Sequence, residues 1–334
     1  MLTLSILDQS PVSKGKSART ALQETVLLAQ RAEEWGYHRF WVSEHHNMRR
    51  LAGSTPEVLL AHLGAKTSTI RIGSGGVMLP HYSAYKVAEN FRMLEALYPG
   101  RVDLGIGRAP GGMPIATMAL QEGKYRNVNQ YPQQIDDLTA YLHDATGDEH
   151  RFSGLKATPL IDTVPELWVL GSSGESARIA AEKGAYYSFA HFINAEGGPS
   201  YMRYYRKHFQ RSVWLERPET SVSVFVFCAK TEHEAEELAA AMDLNLLMIE
   251  QGIKSDGIPS IEEVKSYRYT PYELERIREN RKRFIFGTPD KVKEQLLAFA
   301  KMYETEEVIV VTIAHSFEAK LKSYCLLMEE MKKR

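Results

Sequence analysis

The run Val308-Ile309-Val310-Val311 has no polar break and is β-branched throughout, which marks a strand buried on both faces, as in a parallel sheet covered by helices. Comparable short apolar runs recur at residues 2–7, 39–43, 70–79, 102–106, 167–170, 186–190, 222–228 and 308–313, eight in all. Helical patterns fall between them at 18–35, 56–66, 84–97, 133–143, 289–302 and 317–331. Their ends carry the expected punctuation. Gly36 follows Trp35 where a left-handed C-cap is needed, and Pro56 and Pro289 sit in first helical turns behind Thr55 and Thr288.

Alternating strands and helices build βα units around a parallel sheet, and eight such strands predict a (β/α)8 TIM-like barrel. A doubly wound open sheet is the rival, and the strand count favours the barrel. The 334 residues then form one domain, 1–334, because such barrels exceed the usual length per domain. The stretch 254–283, rich in charge and tyrosine, breaks the rhythm before the last βα unit. It reads as an insertion, either a helical lid or a solvated excursion, with the excursion favoured.

With 41 basic and 42 acidic side chains, the chain has no field to draw nucleic acid or an anionic membrane. No run approaches the roughly 18 apolar residues of a membrane span, and the N-terminal residues lack a basic leader. A cytoplasmic protein with a small-molecule partner is expected. Cys228 and Cys325 lack CxxC spacing and read as two buried thiols.

Barrel active sites lie at the C-terminal ends of the strands. The second strand ends in Ser43-Glu44-His45-His46-Asn47. Adjacent strand residues face opposite ways and no further ligand spacing accompanies them, so no metal site is expected. Acid/base work, cofactor contact, or plain hydrogen bonds to neighbouring loops stay open for the histidines. The third strand contains Gly73-Ser74-Gly75-Gly76. Packing offers no evident reason for Gly75-Gly76, whereas a planar ligand against bare backbone would. In the fourth segment, Gly105-Ile106-Gly107-Arg108-Ala109-Pro110, the dinucleotide spacing fails at Pro110, leaving Arg108 as an anion partner. Gly171-Ser172-Ser173-Gly174-Glu175-Ser176 opens a helix, which is either an ordinary serine cap or an anion site. Arg108 and Arg126 together tip that choice towards phosphate.

Taken in order, these segments resemble the bacterial-luciferase-like family of flavin-dependent monooxygenases, in particular its uncharacterised bacterial oxidoreductases. The resemblance is densest from Ser5 to Gly111 and continues through the fifth-strand motif and Gly287-Thr288-Pro289. It implies FMN at the mouth of the barrel, commonly in a homodimer. Gly75-Gly76 matches the place of a non-proline cis peptide beneath the flavin ring. His45 matches the histidine that assists the flavin chemistry. Arg108, Arg126, Ser173 and Ser176, with the amides of Gly174 and Glu175, match the FMN phosphate cradle. The implied reaction uses O2 and reduced FMN, delivered by a separate NAD(P)H:flavin reductase, to oxygenate a small organic substrate. Deazaflavin F420-dependent hydride transfer on the same barrel, non-catalytic flavin binding, and a metal-dependent hydrolase using His45 and His46 are the alternatives. Gly112-Met113-Pro114, where many relatives carry an acidic residue, and the poorly matched stretches 121–129 and 254–283 mark the expected substrate-facing loops.

Overall fold

The computed structural model describes residues 2–123 and 127–333. The first half of the chain runs β1 (Thr3–Asp8), α1 (Ala18–Trp35), β2 (Arg39–Val42), α2 (Pro56–Lys66), β3 (Arg71–Ser74), β4 (Val77–Met78), α3 (Ala84–Leu97), β5 (Val102–Gly107), α4 (Pro114–Leu120) and α5 (Tyr131–Leu142). The second half runs β6 (Glu166–Gly171), α6 (Gly174–Lys183), β7 (Tyr186–Ala190), α7 (Gly198–His208), β8 (Thr220–Cys228), α8 (Glu232–Glu250), α9 (Ile261–Ser266), α10 (Pro271–Arg281), β9 (Phe284–Gly287), α11 (Pro289–Tyr303), β10 (Glu307–Val311) and α12 (Phe317–Lys332). Caps form where the sequence signals them: Gly36 takes φ +84° and donates its amide to the Ala32 and Glu33 carbonyls that end α1.

Neighbouring strands pair in parallel in the order β10-β1-β2-β3-β5-β6-β7-β8, and β10 returns to β8 from Glu307↔Ser221 to Val311↔Phe225. The sheet is therefore a closed eight-position (β/α)8 barrel, as expected. Two details differ from the sequence reading. The single strand at 70–79 is two pieces, β3 and β4, separated by the cis Gly75–Gly76 peptide and followed by a 3-10 turn, Leu79–His81. A short extra strand, β9, lies alongside the C-terminal half of β8 from Phe225↔Phe284 to Cys228↔Gly287. Its four residues are too few to show a period.

The 254–283 stretch carries two helices, α9 and α10, and stays largely exposed, so it is both helical and solvated. Ser260 with Glu263 and Thr270 with Glu273 form complete capping boxes that start α9 and α10. The approach to α9 is pinned, since Ile258 donates its amide to Val12 O at 2.9 Å and is buried. Cys228 is buried, but Cys325 is only half-buried, against the expectation for the pair. Among the described residues no helix is long and apolar enough to cross a membrane.

The helices cover the outer faces of the strands with one apolar layer, while the barrel interior holds a second cluster that includes Leu7, Trp41, Trp168, Phe225, Phe227 and Ile309. At the N-terminal end of the strands the filling is ionic. Buried Arg39 reaches Asp103 and Glu307 at 2.8 Å and Glu166 at 3.2 Å, and lies over the Trp168 ring. Arg71 also meets Asp103 and Glu166. This plug fills one end of the barrel, and the open cavity lies at the other.

Candidate active site

The C-terminal mouth holds a cavity of about 600 Å³. Its floor is the barrel interior: Leu7, Trp41 and Ile309 come from β1, β2 and β10. The Trp41 indole is fixed from below, donating to Asp103 Oδ2 at 2.8 Å. Gly75 and Gly76 form part of the wall. Packing does account for Gly76, whose Cβ would meet backbone, contrary to the sequence reading, whereas at Gly75 the close atom is the tip of a leucine side chain. A Cβ on Gly75 would stand 2.5 Å from Leu7 Cδ1, and one on Gly76 would stand 2.7 Å from Gly105 O and from Leu170 Cδ1.

The β5–β6 side of the cavity is polar. Arg108, which follows β5, is half-exposed, with Nη1 4.0 Å from Glu175 Oε1. Ser172, Ser173 and Ser176 line the same side. Ser173 occupies the N-cap of α6, yet its side chain makes no capping bond. The Ser176 hydroxyl donates instead to Ser173 O at 2.7 Å. A helix start uncapped in this way leaves its first-turn amides free to receive an anion, and the helix dipole favours negative charge there. Gly171 makes the fold-back possible, because a Cβ there would stand 2.4 Å from Ser176 Cβ. The Glu175 carboxylate is held by Arg178 at 2.8 and 3.0 Å, and these bonds, with nearby Arg108, keep its pKa below the ordinary value. Glu175 therefore offers its amide rather than its acid. Arg126 lies outside the described residues.

Neither His45 nor His46 lines the cavity. His45 Nδ1 is 3.0 Å from Ser43 Oγ, and its amide donates to Gly53 O. Burial, helped by His46, pushes the His45 imidazole down to about 4, so the ring is neutral at physiological pH. His46 Nε2 lies 2.7 Å from Glu44 Oε1. Glu44 was passed over in the sequence except as a metal partner. It is fully buried and also accepts from Tyr82 OH at 2.7 Å and from the Met78 amide at 3.0 Å. It thereby ties the end of β2 to β4, whose Met78 lines the cavity. No group of three potential metal ligands converges among the described residues. Tyr131, at the start of α5, also lines the cavity and had no sequence signal.

The luciferase-like monooxygenase family model matches residues 2–306. An uncharacterised protein of Bacillus subtilis is 63% identical, with 98% of this chain and 99% of that protein covered. The N-acetyl-S-alkylcysteine monooxygenase of the same organism is 41% identical, covering 98% of each chain. The crystal structure of apo-MsnO8 superposes with a TM-score of 0.92 at 36% identity over 99% of both chains. A parallel barrel with an open mouth, a polar helix start beside it and a match over nine-tenths of the sequence converge on one assignment: the chain belongs to the luciferase-like monooxygenase family.

Proposed function

We propose that this protein is the oxygenase of a two-component flavin monooxygenase, taking reduced FMN from a separate NAD(P)H:flavin reductase and oxygenating a small organic substrate with O2. The observation that carries the reading is the uncapped start of α6, facing a cavity that holds Arg108 on one side and bare apolar surface on the other. That division fits a flavin mononucleotide, which has a phosphate at one end and a flat apolar ring at the other. The Gly174, Glu175 and Ser176 amides, the Ser173 hydroxyl and Arg108 would hold the phosphate, with Arg126 joining them in this proposal. Gly75 and Gly76 would let the ring lie against backbone.

When bound, reduced FMN supplies the two electrons that let one oxygen atom enter the substrate while the other leaves as water. The chain's part is to bind, orient and keep the site dry. Leu7, Trp41, Met78, Phe192 and Ile309 give that dryness. The catalytic role of His45 rests on the family resemblance. Its ring, held neutral by burial and joined to Ser43, is a weak base at physiological pH and serves as a neutral hydrogen-bonding group. The dinucleotide spacing fails at Pro110, which supports a separate reductase. Exposed Val58, Met93 and Leu97 on α2 and α3 provide the face on which a second copy would dock.

The test is an anaerobic titration with reduced FMN, followed by oxygen and N-acetyl-S-methylcysteine, chosen because the 41% identical relative is named for that substrate class. Tight FMN binding with oxygen-dependent product formation supports the reading. Binding of F420 in place of FMN, with oxygen-independent hydride transfer, overturns it. Replacing Arg108 by alanine should weaken FMN by roughly ten- to hundred-fold, the scale of one lost charged hydrogen bond, with riboflavin little changed. Equal losses for both flavins would remove the phosphate cradle.

A further inference from the structure

Tyr131 is the first residue of α5, and its side chain is 2% exposed. The residue lines the cavity, yet its buried hydroxyl has no hydrogen-bond partner among the described residues. Buried phenols nearly always find one, so an orphan of this kind calls for a reason. Packing gives none, because phenylalanine would fill the same space without the oxygen. The surroundings do. Arg108, Ser173 and Ser176 line the same cavity, and the first turn of α6 opens beside them.

Burial pushes the Tyr131 phenol well above its ordinary pKa, with the nearby Arg108 guanidinium opposing that only in part. The hydroxyl therefore keeps its proton and is a donor at any working pH. A protonated donor without an acceptor, held beside a cation and a helix start, is short of one thing, an anion.

We propose that Tyr131 is a binding residue that donates its hydroxyl hydrogen to the phosphate of the bound flavin. The assignment rests on the phosphate-cradle reading above and adds to it a neutral donor from a different helix. Arg108 and the α6 amides are fixed by β5 and β6, whereas Tyr131 brings α5 into contact with the same group. Cofactor binding would then satisfy a polar atom that the empty protein leaves unmet.

The experiment compares wild type and Tyr131→Phe in two measurements. One is titration with FMN and with riboflavin, and the other is thermal unfolding of the flavin-free protein. The variant should bind FMN roughly ten- to hundred-fold more weakly, the loss of one hydrogen bond to a charged group, and riboflavin within about two-fold of wild type. Its flavin-free form should melt at the same temperature or higher, because it no longer buries an unmet hydroxyl. A lower melting temperature would mean that the hydroxyl has a structural partner, which overturns the proposal. Unchanged FMN affinity, or equal losses for both flavins, overturns it as well. The two readings fail differently: wild type that prefers FMN no more than riboflavin removes the cradle itself, while a preference kept in full by the variant removes Tyr131 alone.

Discussion

His45 shows what a single side chain can report without touching the cavity. Its imidazole is held near 4 in the folded protein, mainly by burial, against about 6.5 in an unfolded chain. Between those values the unfolded state carries the extra proton, so stability present above pH 6.5 is lost as pH falls towards 4. Replacing His45 by glutamine removes that slope. The two proteins should unfold alike in urea at pH 7.5, and at pH 5 the variant should gain up to about 2 kcal/mol relative to its own wild-type reference. Parallel pH profiles would mean that the ring is more solvated than its surroundings imply. At this scale the sequence was partly legible. Ser173 and Ser176 stood out because serine and glycine cluster at a helix start, and Arg108 because it ends a strand. Tyr131 and Glu44 did not, since their importance depends on which distant atoms meet them or fail to.

At the scale of elements, the strands were readable because β-branched runs buried on both faces leave little else for the chain to do. The breaks were less so. Between β3 and β4, Leu7 and Gly105 come so close to Gly75 and Gly76 that a Cβ would stand within 2.7 Å of them, a constraint that no local pattern records. The helical nature of 254–283 was hidden by its charge, although Ser260–Glu263 and Thr270–Glu273 are helix-start signals in plain view. Charge there serves attachment. Arg281 of α10 donates to Asp243 of α8 at 2.8 Å and also pairs with Glu236. Burial lifts the Asp243 carboxyl to about 6 in spite of Arg281. An Arg281→Met variant would leave that carboxylate buried without a cation. It should lose about 3 kcal/mol at pH 8, measured by urea unfolding. The deficit should shrink at pH 5, because a carboxyl raised in the folded state takes up its proton as pH falls through its folded pKa and the uncompensated charge disappears. A deficit independent of pH would assign the loss to packing of the arginine stem instead.

For the whole molecule, eight strand positions were enough to predict closure, but the plug that makes the barrel one-ended was not visible. Arg39, Arg71, Asp103, Glu166 and Glu307 are scattered over most of the chain, and only closure brings them together. Arg39 is the centre of the cluster, with three carboxylates around it. Removing it as Arg39→Met leaves Glu307, among the described residues, with only the Ser5 hydroxyl as a side-chain hydrogen-bond partner, while Asp103 keeps Arg71. The cost of breaking such a buried network is about 3–5 kcal/mol. Adding Glu307→Gln should return at least about 1 kcal/mol of it, because the uncompensated charge rather than the missing packing dominates the loss. Asp103 also holds the Trp41 indole that floors the cavity, so the same variant should weaken riboflavin, which tests the ring site, at least as much as FMN. This is the reverse of the pattern expected when the phosphate end is altered. Urea midpoints and the two flavin titrations on the single and double variants measure both effects. Full stability in Arg39→Met would show that the plug fills the barrel without holding it together, and unchanged riboflavin affinity would show that the floor of the site does not depend on it.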